Sequence, residues 1–312
     1  MKLQEVCDDL FGLILDYLDL NNINDFLDSS SELKNYKNYF YCIILDEDES
    51  EKYYLDEDYR KEIDNELKQK LVKKLSLTLE CCENITDVNA LCNVYSLEVW
   101  NCDKIKDVST LGNVHTLILK DCNIKDMSAL HNVHTLKLNN CDISVVSELY
   151  NVHTLELDNC DILDIHALYN IHNLKFWNCK NITDVSNLCN VHTLRFWSCE
   201  NITDVSGLCN IHTLEFNMCD NITYVCKLYN IHNLILWYCD NIIDVSELCN
   251  IHTLEICCDN IKNISALTNI YILEIYGYYD MDNLKKLMND NNLIIEYYES
   301  DDNEIWKKKE IK

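Results

Sequence analysis

The chain has 312 residues, a net charge of −27 at neutral pH and a hydrophobic content of 48%, which allow two domains or one long repeat array and exclude wholesale disorder. So negative a chain repels phosphate backbones, so we expect no nucleic-acid partner. No apolar run reaches the roughly 18 residues of a membrane helix, and the opening MKLQEVCDDL lacks a signal-peptide pattern. We therefore expect a cytoplasmic protein with protein partners and no membrane contact.

Residues 4–41 have the apolar periodicity of three short helices. The first carries Leu10, Ile14 and Leu18 at four-residue intervals, the second contains Ile23 and Phe26, and the third begins near residue 31. Three such helices form only a very small core. A unit of this size normally needs a partner or a neighbouring domain.

This segment resembles an F-box, and we assign residues 1–45 to a small F-box-like helical domain. It departs from the family pattern because Val6 and Cys7 stand where Leu-Pro is usual, and because the tryptophan often found near the end is absent. The resemblance implies docking to a Skp-family adaptor protein. The residues at matching apolar positions, which would contact it, are Leu10, Ile14, Leu18, Ile23 and Phe26. The alternative is that these helices only cap the repeats that follow.

Residues 46–72 are interpreted as an acidic linker followed by a capping helix. The run DEDESEKYYLDED, residues 46–58, is typical of solvated linker. From residue 57 the pattern becomes amphipathic, with Ile63, Leu67 and Leu71 on one face. We expect this helix to cover the first open end of the repeats.

Residues 73–280 are dominated by a repeat of 19 or 20 residues, which predicts a solenoid. Its consensus is L-x-N-[VI]-H-T-L-x-[LF]-x-x-C-x-N-I-x-D-[VI]-S-x-L. The block L-x-[LF]-x-x-C-x-x-I matches the leucine-rich-repeat signature. One leucine column marks the period: Leu77, Leu97, Leu117, Leu136, Leu155, Leu174, Leu194, Leu214, Leu234, Leu254, Leu273 and Leu293. We predict an α/β solenoid of about 11–12 short coils with a parallel sheet on the concave face.

Two further columns of the repeat predict local structure. A 20-residue unit has no room for a full outer helix, so pairs such as Asp184 and Ser186 are expected to begin 3₁₀ or turn segments. The cysteine column, which includes Cys199, is expected to be reduced and buried, each thiol donating to a carbonyl of the next coil. The I-x-D-V-S continuation resembles internalin-type repeats, and the cysteine placement resembles repeats of F-box leucine-rich proteins.

The C-terminal residues differ from the repeats. We predict a cap over residues 281–298, with a helical segment at Asp282–Met288 and a last strand near 293–297. Residues 299–312 are charged and are expected to form a mobile tail.

Eight histidines form one column, which we interpret as a neutral packing ladder and not as a metal site or pH sensor, since zinc needs convergent ligands. Protonating stacked rings is unfavourable, so stability should fall below about pH 6. The sequence has no glycine-rich phosphate loop and no nucleophile elbow. We therefore predict no enzyme activity, no catalytic or metal-ligating residues and no cofactor.

One column beside the strand leucines is predicted to bind a target protein. Four of the five tryptophans fall in it, and strand alternation turns it away from the core. Exposed tryptophans among mixed charges are typical of binding hot spots, although cross-strand stacking is an alternative. The predicted target-binding residues of this face are Trp100, Lys120, Asp158, Trp177, Arg195, Trp197, Glu215, Trp237 and Tyr276.

An F-box followed by leucine-rich repeats resembles the substrate receptors of SCF-type ubiquitin ligases. That resemblance implies a receptor that performs no chemistry, docks a Skp-family adaptor and holds a target on its repeats. The chain has no proline and only four glycines, a bias like that of F-box and repeat proteins of giant DNA viruses, where host cytoplasm would supply the adaptor. The alternative is a non-ligase scaffold or host-interaction protein. Outside its complex we expect a monomer.

Overall fold

The computed structural model describes residues 40–68 and 72–276, except 83–84, 125, 144, 209, 229, 249, 262–263, 265–266 and 268–269, together with 294–300 and 306–309. The five predicted adaptor-binding residues therefore lie outside the described residues.

The described residues form one sheet of 14 strands, arranged in chain order. The first 13 strands are parallel, and the last pairs antiparallel with its neighbour. The strands are β1 Phe40–Ile44, β2 Val72–Glu80, β3 Ser96–Trp100, β4 Thr116–Lys120, β5 Thr135–Asn139, β6 Thr154–Asp158, β7 Asn173–Trp177, β8 Thr193–Trp197, β9 Thr213–Asn217, β10 Asn233–Trp237, β11 Thr253–Cys257, β12 Ile272–Tyr276, β13 Ile294–Ser300 and β14 Trp306–Lys309. This confirms the predicted solenoid.

The register keeps equivalent residues side by side, so each column of the sequence becomes a column in space. Leu194 pairs with Leu174 and Leu214 on the adjacent strands. Leu194 and Phe196 are fully buried, and Ile202 and Leu208 of the same coil join them in the core. Strand alternation thus places two residues of each five-residue strand inside and leaves the intervening ones on the opposite, open face.

Short 3₁₀ segments cover the outer side of the coils, as predicted. They span Asn89–Leu91, Ser109–Asn113, Ser128–Asn132, Ser147–Leu149, His166–Asn170, Ser186–Leu188 and Cys226–Leu228. Asp184 accepts a hydrogen bond from the Ser186 amide at 2.9 Å, and Asp204 does the same for Ser206. These bonds lower the pKa of both carboxyls.

The cysteine column forms a ladder, but in the opposite direction to the prediction. Cys199 donates to the carbonyl of Phe176 at 3.8 Å and Cys219 to that of Phe196 at 3.5 Å, so each thiol faces the preceding coil and not the next one. The cause is the turn after each strand, where a residue with positive φ such as Ser198 bends the chain back. From Cys81 to Cys258, every cysteine that the structure describes is a free thiol.

The acidic run is not a linker, which corrects the sequence interpretation. Helix α1, Glu47–Leu55, begins at a capping box between Asp46 and Glu49. Its Ser50 and Tyr53 are buried. Acidic residues occupy its first turn, where they suit the helix dipole.

Helix α2, Glu57–Lys68, is the predicted amphipathic helix, with Ile63 and Leu67 buried. Strand β1 lies beside β2 and extends the sheet beyond the first repeat. Residues 40–44 therefore belong to the sheet, which corrects their assignment to the helical domain 1–45. The covering of the first coil is therefore a strand and two helices.

The chain ends differently from the prediction. The expected last strand is present as β13, but the expected mobile tail contains β14, which pairs antiparallel with β13. Backbone pairing at the sheet edge explains this difference. The predicted helical segment at 282–288 lies outside the described residues.

Candidate binding face

Two columns of alternate strand residues form the open face. The tryptophan column comprises Trp100, Lys120, Asn139, Asp158, Trp177, Trp197, Asn217, Trp237, Cys257 and Tyr276. The charged column comprises Glu98, Ile118, Lys137, Glu156, Lys175, Arg195, Glu215, Ile235, Glu255 and Glu274. All nine predicted target-binding residues lie in these two columns, so the structure brings them onto one surface.

The centre of the face is a network of cations, aromatic rings and one carboxylate. The Lys175 ammonium lies 3.8 Å from the ring centroid of Trp197 and 5.2 Å from that of Trp177. The two indoles meet edge to face at 5.1 Å. Glu215 accepts hydrogen bonds from Arg195 Nε at 2.9 Å and from Trp197 Nε1 at 2.6 Å. These contacts hold the side chains in defined orientations.

The N-terminal part of the face is paired less completely. Lys120 lies 4.9 Å from the ring centroid of Trp100, whose buried Nε1 has no hydrogen-bond partner among the residues that the structure describes. Asp158 accepts from Asn139, and burial raises the pKa of its carboxyl.

The strand register explains which indoles find an acceptor. Trp197 and Trp237 each donate to a glutamate 18 residues later, in the charged column of the next strand: Glu215 and Glu255. The register places Ile118 after Trp100 and Arg195 after Trp177 in that column, and neither side chain accepts a hydrogen bond. Trp177 is the most exposed of the four, at 43%.

The C-terminal part of the face combines aromatic rings with two carboxylates. Trp237 and Tyr276 lie on either side of β11, where the column residue is the small, buried Cys257, and their ring centroids approach to 5.6 Å. Trp237 Nε1 donates to Glu255 at 3.0 Å, and the Tyr276 hydroxyl donates to Glu274 at 3.2 Å. Burial, followed by the charge of Glu274, raises the pKa of Glu255 to about 7.

The histidine column is a stack of rings along the strand entries, as interpreted from the sequence. Centroids of successive rings lie 4.4–4.8 Å apart. Tyr95 and Tyr271 extend it at the two ends. Burial lowers the pKa of His134 and His153. Within the described ranges, no group of three or more His, Cys, Asp or Glu side chains is placed to hold a metal ion.

The structure has features that fit each of the two interpretations of the tryptophans, partner binding and cross-strand stacking. Trp177 and Trp197 contact each other, which is the stacking expected of a structural role, while Trp177 keeps much of its surface in solvent. The binding residues predicted from the sequence did not include Lys175, Glu255 and Glu274, although all three lie in the charged column. The 18-residue spacing from tryptophan to glutamate is the signal that identifies Glu255.

Comparisons with known proteins give structural likenesses only. No family model matches the sequence, and no curated protein matches it. An internalin, InlF from Listeria monocytogenes, is 19% identical, with a TM-score of 0.45, over 79% of this chain and 91% of that one. The leucine-rich-repeat protein LIC12759 of Leptospira interrogans is 15% identical, with a TM-score of 0.46, over 74% and 72% of the two chains.

A third likeness is to the functional domain of InlJ from Listeria monocytogenes, described as including a cysteine ladder. It is 14% identical, with a TM-score of 0.39, over 72% of this chain and 66% of that one. Among the residues that the structure describes, no helix is both long and apolar enough to cross a membrane. The repeat period, the parallel register and the buried leucine columns identify the array as a leucine-rich-repeat solenoid.

Proposed function

We propose that the open face binds a protein partner and that Trp177 is its central anchor. The observation that carries this proposal is the 43% exposure of an indole in the middle of the sheet, beside the cations Lys175 and Arg195. Large aromatic rings next to arginine are the usual composition of interface hot spots. The contacts of Trp197 with Lys175 and Glu215 hold the neighbouring ring rigid, which lowers the entropic cost of binding.

Affinity capture with matched variants tests this proposal. The full chain, Trp177→Ala and Tyr169→Ala would each be used to capture proteins from a eukaryotic lysate. Tyr169 is a matched control, since it is 44% exposed but lies in the outer 3₁₀ segment. We expect Trp177→Ala to lose a specific partner at least about tenfold and Tyr169→Ala to retain it. Equal capture by all three, or a loss that tracks a lowered melting temperature of Trp177→Ala, would refute the anchor role.

We propose further that the F-box-like pattern within residues 1–45, ahead of strand β1, docks a Skp-family adaptor, which would make the chain a substrate receptor of an SCF-type ubiquitin ligase. This rests on the F-box-like pattern of Leu10, Ile14, Leu18, Ile23 and Phe26 ahead of a leucine-rich-repeat array. The partner on the open face would then be the ligase target. A cytoplasmic location belongs to the same proposal, and the hydrogen-bonded free thiols support it.

A pull-down with a purified eukaryotic Skp-family adaptor tests the ligase role. We expect the full chain to bind and the double variant Ile14→Asp/Leu18→Asp to lose binding, because carboxylates replace two apolar contacts. Absence of binding, or binding that the double variant leaves intact, would favour the plain interaction scaffold.

A further inference from the structure

We propose that the C-terminal part of the open face binds an arginine side chain of the partner protein, seated against Trp237 and Tyr276 and paired with Glu255 and Glu274. This inference rests on the proposed function, since it specifies the chemistry of what the open face binds. It concerns a different part of the face from the central anchor, Trp177.

Among the described residues, neither Glu255 nor Glu274 has the cation partner that Glu156 and Glu215 have in the same column. Glu156 lies 3.3 Å from the Lys137 ammonium, and Glu215 bonds to Arg195. In both pairs the cation stands at the same register position on the preceding strand. At that position Glu255 has Ile235, and on its other side it has Glu274.

The fold places Glu255 where ionisation of its carboxyl is unfavourable. Burial and the neighbouring carboxylates Glu274 and Glu215 all favour the protonated form, and the hydrogen bond from Trp237 only partly offsets them. A partner cation would remove this penalty on binding. The local charge therefore fits a basic group, although the stretch of face around Lys175 and Arg195 fits an acidic one.

The aromatic rings of Trp237 and Tyr276 favour an organic cation as the bound group. Trp237 and Tyr276 approach each other beside the small Cys257, and both side chains are partly exposed. Each ring lies next to one carboxylate, since Trp237 donates to Glu255 and Tyr276 to Glu274. Tyr238 meets the edge of Trp237 at 6.1 Å and helps to hold its orientation. A guanidinium group stacks on aromatic rings and pairs with carboxylates in one plane, and it is more weakly hydrated than an ammonium. We therefore assign arginine in preference to lysine.

A titration with small probes tests the assignment without knowledge of the partner. N-acetyl-arginine amide would be added to the full chain labelled with ¹⁵N-tryptophan, and N-acetyl-citrulline amide, which has nearly the same shape without the charge, would be the matched probe. The Trp237→Phe variant identifies the indole signal. We expect the arginine probe to shift the Trp237 Nε1–H signal and the citrulline probe to leave it in place.

Variants of the carboxylates complete the test. Glu255→Gln/Glu274→Gln should weaken arginine binding about tenfold or more, whereas Glu156→Gln, in the same column but paired with Lys137, should bind like the wild type. Unchanged dispersion of the other indole signals establishes that the variants fold. A Trp237 signal that arginine leaves unmoved, that citrulline shifts equally, or that still shifts in the double variant would overturn the assignment.

The result of the arginine-probe titration can be distinguished from the result of the affinity capture that tests the proposed function. If the arginine probe fails but Trp177→Ala still loses a partner, the face binds protein and the arginine site is wrong. If the probe binds but Trp177→Ala captures normally, the central anchor is wrong and the arginine site stands.

Discussion

At the scale of single residues, the open face contains two side chains, Glu255 and Trp100, whose surroundings lower the stability of the folded protein. Glu255 is partly withdrawn from water beside another carboxylate, and Trp100 buries an indole nitrogen without an acceptor. The core residues of the same strands, such as Leu254 and Ile256, have no such conflict, since both are fully buried and apolar. Groups held at a cost are often found at functional sites, and here they lie on the proposed binding face.

Replacing Glu255 by glutamine should stabilise the protein at alkaline pH. The folded-state pKa of Glu255, about 7, lies above its usual value of 4.5, so the ionised side chain opposes folding above pH 7. The gain at pH 8 should be on the order of 1 kcal/mol, after an allowance for solvent screening of this half-buried group.

Urea unfolding of the wild type and Glu255→Gln at pH 8 and pH 5 measures this effect. At pH 5 the folded wild type is protonated at Glu255, so the difference between the two proteins should shrink. A variant that is less stable than the wild type at pH 8 would contradict the electrostatic account of this residue.

At the scale of the element, one coil is a short strand, a turn with positive φ and an outer segment begun by an aspartate. The repeat pattern predicts the strand and the outer segment, because the apolar positions recur in every coil and the aspartate recurs in most of them. The direction of the thiol bond was not predictable, since sequence does not show how the turn at residues such as Ser198 orients the following cysteine. The linker interpretation of residues 46–58 is wrong because it rests on their charge alone, whereas the capping box between Asp46 and Glu49 begins a helix there.

The thiols of the ladder should resist alkylation in the folded protein. Burial raises the pKa of Cys122 and of Cys160 to about 12, so almost no thiolate exists at pH 8, and iodoacetamide also lacks access. Cys81 is exposed and should react.

Peptide mapping by mass spectrometry after iodoacetamide treatment at pH 8 distinguishes these sites. A sample unfolded in urea provides the control in which all of them react. Labelling of Cys122 or Cys160 as fast as Cys81 in the folded protein would show that the ladder opens readily.

At the scale of the whole molecule, the columns tie the coils into one stack. The parallel sheet and the core were predictable because the 19–20-residue period fixes which residues become neighbours. The covering of the first coil by β1 and the pairing of β14 were not, since neither segment carries the repeat. The open face was located correctly, but its pairing of Trp197 with Glu215 depends on rotamers that alternation alone does not specify.

The histidine stack should make stability fall as pH drops below about 6.5. Burial lowers the pKa of His134, His153, His172 and His212, so the unfolded chain binds protons that the folded chain resists. Glu255 acts in the opposite direction, because its raised pKa makes the folded chain take up a proton as pH falls from 7.

The measurement is therefore the melting temperature between pH 7 and pH 5.5 in the Glu255→Gln background. His134→Tyr/His153→Tyr keeps rings in the stack, as Tyr95 and Tyr271 do at its ends, and should reduce the fall. The same pH dependence with and without these two histidines would show that the stack does not contribute.

The most direct test of binding on the open face is site-specific photocrosslinking on the full chain. Benzoylphenylalanine would replace either Trp177 on the open face or Tyr169 on the outer side, two positions of nearly equal exposure in successive coils. We predict that irradiation in a eukaryotic lysate crosslinks a defined protein to position 177. The same protein should not be crosslinked to position 169. Crosslinking of the same partner from position 169 alone, or equally from both positions, would contradict the assignment of the open face as the binding surface.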